Sequence, residues 1–423
     1  MVRSPDDGRE AALRATAPLR TGTVLMALRH GVTATLAVCT LLATRLCAQD
    51  TTEVDLTDPL AEDTTWTNTD LPWSLSYFPY ITGLANDGPL IAGRVRYWKP
   101  APYEDRVTAK AALELNAGIG FRGSRFAIAT ATVPRLGNGW RLYGLAAAVR
   151  EARFGFYGLG NETIRDNALT QPDNKLYYRV ARRVYRVQGE VTRHLTGPLH
   201  AALLGEVVSA RYTAPDDQPS LFNQTFGPEL DNQDASFRLA LVLDTRDNEY
   251  NTTRGVLLEA GTQVATGGGN YERVYGIARG WLTPREGTTL AARIAGSEIY
   301  GAPTLDARFI IPGWERPVLV LGGNYSHRGL DLPRFAGAGV LFGNFEVRQE
   351  VFGFGDLGAI GLVGFVDAGR VFEGEEFRLT FNDLKVGGGG GIAVRILRST
   401  IFTFTVGRGP DGTNIDLNSG WFF

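Results

Sequence analysis

The 423-residue chain contains 52 glycines, two cysteines and two methionines, with 10% aromatic residues and a formal net charge of −2. This near-neutral charge, without any Lys/Arg cluster, excludes nucleic acid as an expected partner. No uninterrupted apolar run reaches the roughly 18 residues of a transmembrane helix. Glycine makes up about 12% of the chain, against roughly 7% in average proteins, and this excess together with the aromatics is typical of an all-β chain.

The N-terminal part of the chain has the pattern of an export signal. Residues 1–48 are interpreted as an N-terminal extension and a cleavable signal peptide whose true start is Met26, because basic residues there precede the apolar stretch 31–43. Cleavage after Ala48 would remove both cysteines and thereby exclude disulfides and thiolate metal sites. Residues 49–71 are polar and acidic, which predicts a short disordered periplasmic lead.

From residue 72 onward, apolar and polar side chains alternate in segments separated by Gly, Pro, Asn and Asp turns. A period of two places successive side chains on opposite faces of a strand. Sixteen strands are predicted, or fourteen if the break near Gly123 is not a turn. The predicted strands cover residues 72–82, 88–99, 106–121, 124–133, 140–154, 175–193, 199–212, 234–245, 255–266, 270–282, 288–300, 338–352, 358–372, 384–396, 400–407 and 413–423.

The predicted connections differ in length on the two sides of the sheet. Four on one side are long (155–174, 213–233, 301–337 and 373–383), whereas every connection on the other side is short. Short periplasmic turns and long outer loops characterise outer-membrane barrels, which close the sheet to satisfy every backbone group. A soluble β-sandwich would show the same alternation but does not predict this asymmetry. The predicted fold is therefore an all-β, single transmembrane antiparallel barrel over residues 72–423.

The alternation also assigns side chains to the two faces of the barrel. Leu241 and its apolar neighbours on one strand face are predicted to contact lipid, and Gln263 is predicted to face the lumen. Several charged side chains are predicted to face the lumen as well: Arg94, Arg96, Arg182, Arg186, Glu190 and Arg238.

Five short segments carry further information: Phe156–Thr163, Leu243–Gly255, Ser326–Leu330, Gly343–Arg348 and Gly364–Gly369. The turn motif in the second segment comprises Asp244, Arg246, Asp247, Asn248 and Gly255. Together these segments resemble the bacterial surface antigen family, whose outer-membrane barrels include BamA and TamA. The resemblance covers about residues 150–423 and implies a sixteen-stranded barrel.

One group of residues within that resemblance predicts a docked loop. The group comprises Arg328, Gly329, Glu346, Phe365, Asp367 and Gly369. The arginine lies in the longest predicted loop, and its guanidinium fork suits a carboxylate. The resemblance implies that this loop folds into the barrel and that Arg328 docks on the wall, where we expect it to pair with Asp367. The alternative is an ordinary exposed loop arginine, and Leu330 departs from the family pattern, which has an aromatic residue there.

At the C-terminal end, Trp421 and Phe423 resemble the signal by which outer-membrane barrels are recognised for assembly. The alternation extends the last strand to Phe423 and places both rings on its apolar face. The glycine run Gly387–Gly391 lies on a predicted strand with no following helix, which excludes a phosphate-binding loop. No nucleophile elbow, metal site, cofactor site or catalytic constellation is predicted, so the protein is expected not to be an enzyme.

The resemblance implies a role in inserting or translocating proteins or lipids at the bacterial outer membrane. Residues 49–71 are too few for a periplasmic POTRA module, so a barrel-only member is expected. The expected partners are outer-membrane lipid, the assembly machinery during biogenesis and a separate periplasmic module. A passive channel or structural barrel without assembly activity is the main alternative, and an outer-membrane enzyme is a third.

Overall fold

The computed structural model describes residues 71–83, 86–102, 105–170, 174–314, 317–323, 325–355, 357–374, 376–397 and 400–423. The predicted signal peptide and all but one residue of the predicted lead lie outside these ranges. Within them, no helix has both the length and the apolar composition needed to cross a membrane.

Sixteen strands form one antiparallel sheet, in which each strand pairs with the next strand of the wall along the chain. This confirms the sixteen-strand prediction, because β3 (Ala109–Gly120) and β4 (Arg125–Leu136) pair as separate strands on either side of Gly123. The wall strands are β1 (Ser74–Gly83), β2 (Pro89–Pro100), β3 (Ala109–Gly120), β4 (Arg125–Leu136), β5 (Trp140–Gly155), β6 (Arg179–Thr196), β7 (Leu199–Thr213), β8 (Glu229–Asp244), β9 (Gly255–Gly267), β10 (Asn270–Arg285), β11 (Thr288–Ala302), β14 (Gly339–Gly353), β15 (Gly358–Phe372), β16 (Lys385–Ile396), β17 (Thr400–Gly409) and β18 (Gly412–Ser419).

The connection between β11 and β14 contains structure that the alternation did not predict. Two short strands, β12 (Ile310–Ile311) and β13 (Val318–Leu319), pair with each other outside the main sheet. A 3-10 helix, Asp306–Phe309, precedes them. A second 3-10 helix (Asn167–Thr170) and one short helix, α1 (Leu221–Phe226), lie in the other long connections. The side of the barrel with these connections is called the long-loop end, and the opposite side is the short-turn end.

The period-two alternation separates an apolar outer face from a polar inner face along the wall strands. On β8, Phe237 and Leu239 are 70% and 54% exposed, whereas Arg238 between them is 1% exposed. Such a strand suits a barrel whose outer face meets hydrocarbon and whose interior holds polar groups. The predicted inward position of Gln263 is confirmed by its burial.

Among the residues that the structure describes, no hydrogen-bonded ladder closes the sheet between its first and last strands. β1 and β18 lie close to each other, but within the described residues they form the two unpaired ends of the strand order. The barrel is therefore nearly closed, with a seam between β1 and β18.

The last strand is shorter than predicted. β18 ends at Ser419, and Gly420 adopts a φ of 106°, a left-handed backbone conformation that glycine tolerates and other residues disfavour. The chain turns into the barrel at this point, so Trp421 packs against the inward-facing Phe365 of β15. The predicted extension of the strand to Phe423, with both rings on its apolar outer face, is therefore wrong.

The interior is packed on one side and half-exposed on the other. The described residues of 303–338 (the docked loop) lie inside the barrel, where Leu321, Leu330 and Phe335 share one buried core with wall residues such as Tyr275 and Phe342. The inward side chains from β6 to β15 (the filled half) are almost all buried. The inward side chains in the middle of strands β2 to β5 (the open half) are only half-buried.

Candidate functional site: a loop docked inside the barrel

Arg328, at the tip of the docked loop, binds two carboxylates of the inner wall. Its Nε and Nη2 donate to Asp367 Oδ2 and Oδ1 at 2.9 and 2.8 Å, and its backbone N–H donates to the same Oδ2 at 2.9 Å. Nη1 donates to Glu346 on the neighbouring strand. All three side chains are at most 1% exposed. The geometry is the bidentate fork expected of arginine and carboxylate, and an exposed loop arginine is excluded.

The two carboxylates are themselves held in place by neighbours on the wall. Asn344 Nδ2 donates to Asp367 Oδ1 at 2.8 Å and to the carbonyl oxygen of Ser326, also at 2.8 Å. Arg348 Nε donates to Glu346 Oε2 at 2.8 Å. Each buried charge therefore has a hydrogen-bonded partner, which is the condition for burying it without a large desolvation penalty.

Aromatic rings cover both faces of the Arg328 guanidinium. Its central carbon lies 3.5 Å from the ring centroid of Phe365 and 3.9 Å from that of Phe422. Phe365 belongs to the predicted motif, whereas Phe422 reaches the site only because the C-terminal residues turn inward. Cation–π contacts of this kind are stronger when the cation is removed from water.

The loop backbone lies directly against the wall, at a place where the wall has no side chains. A Cβ atom on Gly329 would lie 2.8 Å from the backbone of Arg408 on β17, and one on Gly387 of β16 would lie 2.6 Å from His327. Gly387, the first residue of the glycine run, thus provides space for the loop. Burial lowers the pKa of His327, and its neutral ring bonds the carbonyl oxygen of Lys385 through Nε2 at 3.0 Å.

The remaining members of the predicted motif also contact the loop. Gly369 lies against Leu321 of the loop. Leu330, which stands where the family pattern has an aromatic residue, is fully buried in the apolar core inside the barrel. An aliphatic side chain therefore fills that part of the docking site.

The predicted turn motif forms a self-bonded turn between β8 and β9 at the short-turn end. Asp244 accepts hydrogen bonds from Arg246 Nε and Nη2, both at 2.9 Å. Asp247 accepts from the backbone N–H of Asn248 at 2.9 Å. Gly255 begins β9 and lies against the backbone of this turn. Side-chain bonds of this type fix a turn whose backbone groups would otherwise lack partners.

The turn, the loop and the C-terminal residues form one connected structure. Trp421 Nε1 donates to Asn251 of the β8–β9 turn at 2.7 Å. Arg348 Nη2 donates to the backbone oxygen of Phe423 at 3.1 Å, and its guanidinium carbon lies 4.2 Å from the Trp421 ring centroid. Three segments that are far apart in sequence therefore meet around Arg328 and Arg348.

A second anchor of the loop was not identified from sequence. Asp306 accepts hydrogen bonds from Arg182 at 3.2 Å and Arg186 at 3.1 Å on β6, on the opposite wall. Arg273 of β10 donates to the carbonyl oxygens of Ala307 and Ile310 at 2.6 and 2.7 Å. The alternation did place the β6 arginines in the lumen, but nothing in the loop sequence marked Asp306 as their partner.

The last part of the loop is tied to structures at the long-loop end. Arg334 Nη2 donates to the backbone oxygen of Thr163 at 2.8 Å, and its Nε forms a buried ion pair with Asp411 at 2.8 Å. Tyr157 donates to Asp331. The backbone N–H of Gly160 also donates to the carbonyl oxygen of Ala336 at 2.9 Å, so three residues of the Phe156–Thr163 segment bond the loop. Asp411 connects the loop to the β17–β18 hairpin.

Comparisons with known proteins are consistent with this architecture. A family model described as the Omp85 superfamily domain matches residues 92–400. The structure of BamA from Haemophilus ducreyi lacking POTRA domains 1-3 has a TM-score of 0.52 at 11% identity, with 82% of this chain and 70% of that chain covered. CdiB from Escherichia coli has a TM-score of 0.53 at 13% identity, with 82% of this chain and 62% of that chain covered. No curated protein sequence matched the chain.

At these identities the solved structures show the fold alone. The family model spans well over half of the chain and therefore shows the family. The chain belongs to the Omp85 superfamily and is an integral β-barrel of the outer membrane.

Proposed function

We propose that this barrel inserts or translocates proteins or lipids at the outer membrane through the seam between β1 and β18, under the control of the docked loop. The observation that carries the proposal is that, in the part of the chain that the structure describes, β18 has no ladder to β1, while its hairpin with β17 is held from inside the barrel. The proposal involves no enzymatic step.

Three contacts hold the β17–β18 hairpin from the inside. Asp411, in its turn, pairs with Arg334 of the loop. The backbone of Arg408 on β17 lies against Gly329. After β18, Phe422 packs on Arg328. Because all three partners belong to the docked loop, release of that loop would remove these contacts and leave the end of β18 held by the wall contacts of Trp421 and Phe423.

An edge strand without a partner offers a row of unpaired backbone N–H and C=O groups. An incoming extended segment can pair with such an edge by β-strand addition. The seam therefore suits a client that is itself an unfolded β-strand, and it opens laterally toward lipid.

The test is a disulfide that closes the seam. A pair of cysteines at facing positions of β1 and β18 would be oxidised in proteoliposomes. A second outer-membrane barrel, unfolded in urea, would then be added to these vesicles as the client, and its folding rate would be measured. A matched control disulfide joins positions 278 and 294, which already face each other on the paired strands β10 and β11. We expect the seam disulfide to abolish acceleration of client folding and reduction to restore it, with no effect of the control. Equal client folding with the seam closed and open would refute the proposal.

A passive channel is the alternative, and one observation favours it. The inward side chains of the open half, including Arg94, Arg96 and Thr130, are half-exposed, so water can reach this part of the lumen. A large, steady conductance in planar bilayers, together with no effect on client folding, would support the channel. A closed or flickering barrel that accelerates client folding would support the first proposal.

A further inference from the structure

The connection between β15 and β16 runs along the outside of the barrel. Residues 376–384 of this connection are called the strap. Phe377 donates its backbone N–H to Glu298 Oε1 on β11 at 3.3 Å, and its ring lies over Gly296. Both β11 residues share the outward face with Ile294 and Tyr300, which are 54% and 49% exposed. The strap thus reaches across β14 to β11 on the lipid side of the wall.

The other end of the strap is fixed to the outer face of β15. Arg370 lies four residues after the outward-facing Val366 on the same strand, so it faces outward as well. Its Nη1 donates to the carbonyl oxygen of Asn382 at 3.2 Å. The same guanidinium lies 3.6 Å from Asp383. Two polar wall side chains, one at each end, are therefore bonded to the strap and not left facing lipid.

The wall beneath the strap is covered, although its side chains point outward. Leu341 of β14 is 8% exposed, whereas Phe345, two outward positions further along the same strand, is 45% exposed. Leu341 lies between Gly296 and Arg370 in the strand register. The strap crosses the wall at the level of these three residues and replaces the apolar wall surface with its own.

The strap exposes two large apolar side chains among polar ones. Leu379 and Phe381 are 81% and 92% exposed, and the charged or polar residues Glu376, Arg378, Asn382 and Asp383 are also exposed. The nearest lipid-facing wall residues, Ile294, Phe345 and Val366, lie one or two outward positions below the strap in the same register. The exposed apolar side chains are therefore continuous with the lipid-contacting face.

We propose that the strap is a lipid-contact site in the outer leaflet, in which Leu379 and Phe381 enter the boundary between headgroups and acyl chains. Aromatic and aliphatic side chains at this depth anchor membrane proteins, and an adjacent cation meets the lipid phosphates. Arg378 supplies that cation. This site is independent of the proposed activity at the seam, because none of its residues contacts β1, β18 or the docked loop in the hydrogen bonds and ion pairs of the described residues.

The test measures the depth of a fluorescent label. Cys39 and Cys47 would be replaced by serine, and a single cysteine labelled with an environment-sensitive nitrobenzoxadiazole dye would be placed at Phe381 or, in a second variant, at Leu379. The controls are the same label at Phe345, on the lipid-facing wall, and at Ile164, an apolar residue that is 80% exposed in the β5–β6 connection. Each variant would be folded into phosphatidylethanolamine–phosphatidylglycerol vesicles, and heat-shifted gel mobility would verify folding.

The proposal expects a blue-shifted emission at 381 and 379 relative to 164, with stronger quenching by lipids spin-labelled near the headgroup than by lipids labelled deep in the chain. Quenching by aqueous iodide should be weaker than at 164. Emission and iodide quenching equal to those at 164 would place the strap in water and overturn the proposal. Protection from both the lipid and the aqueous quencher would indicate a protein contact and would overturn it equally.

Discussion

The filled half and the open half of the barrel follow the same alternation rule but differ in what lies inside. In the filled half, Arg238 is fully buried and bonded to Glu190 and Glu259. In the open half, Arg96 lies 3.8 Å from Glu114, and these two side chains are 23% and 26% exposed. Both arginines point inward from strands of the same antiparallel wall, so strand geometry does not explain the difference in their exposure.

The docked loop decides it. Where the loop lies against the wall, it excludes water from wall pairs such as Arg238 with Glu190, and it supplies Arg328 as the partner of Asp367. Where the loop is absent, the same types of side chain stay hydrated. Removing one member of a charge pair should therefore lower the free energy of unfolding far more in the filled half than in the open half. The seam beside the open half should be the mobile part of the barrel. The following substitutions test this contrast from the largest expected effect to the smallest.

Asp367→Ala should have the largest effect, because it leaves Arg328 buried with Glu346 as its only carboxylate partner. Breaking a buried pair costs about 3–5 kcal/mol. The free energy of unfolding, measured by urea titration in lipid vesicles, should fall by this amount. Arg328→Ala should cost about as much, and the double variant should cost less than the sum of the two. Strict additivity would show that the two side chains are not energetically coupled.

Arginine substitutions at three positions distinguish lipid, filled lumen and open lumen. Leu239→Arg, in the lipid-facing row of β8, should cost about 2–4 kcal/mol of unfolding free energy. Gln263→Arg should also be costly, because Gln263 is buried between Arg238 and Arg273 on its neighbouring strands. Thr130→Arg, in the open half, should be nearly neutral. Equal costs at Gln263 and Thr130 would remove the distinction between the two halves.

Asp306→Ala should have an intermediate effect. Its two arginines keep other partners: Arg182 bonds Glu151 at 2.5 Å, and Arg186 lies 3.4 Å from Glu206. The loss should be about 1–3 kcal/mol, the range for a buried hydrogen-bonding group that loses one partner. Unfolding in urea is the measurement, and Asp306→Asn, which keeps an acceptor oxygen, should lose less than the alanine variant. A cost as large as that of Asp367→Ala would make Asp306 the main anchor of the loop.

Arg96→Ala should have the smallest effect, about 0–1 kcal/mol, because the pair with Glu114 is long and partly hydrated. The same urea measurement applies, with Arg328→Ala as the buried comparison. A cost above about 2 kcal/mol would mean that the open half is not hydrated in the membrane.

Periodicity predicted the wall of this barrel well, because the pleat has a period of two and every wall strand has one lipid face. The segment 358–372, for example, was predicted with the limits that β15 has. The end of β18 could not be predicted in this way. Trp421 and Phe423 continue the alternation of the apolar face in the sequence, but the left-handed turn at Gly420 moves them from the outer face to the inside. Alternation describes a strand only while the backbone remains extended.

The interior was predicted only where a motif marked it. Arg328 and Asp367 were identified through family resemblance and inward parity, and they lie within hydrogen-bond distance. Asp306 and Trp314 were not, although Trp314 Nε1 bonds Thr192 of the wall at 3.0 Å. A loop has no periodicity, so the sequence carries no signal for which of its side chains points at which strand.

The glycines at which the wall meets the docked loop affect how this protein can evolve. At Gly387 of β16 and at Gly407 and Gly409 of β17, an added methyl group would lie 2.4 to 2.6 Å from an atom of the loop, so even alanine requires the wall or the loop to move. We expect these positions to tolerate substitution as poorly as a catalytic residue would. Glycines at inward positions of neighbouring barrel strands are therefore a record, in the sequence, of a loop folded against those strands.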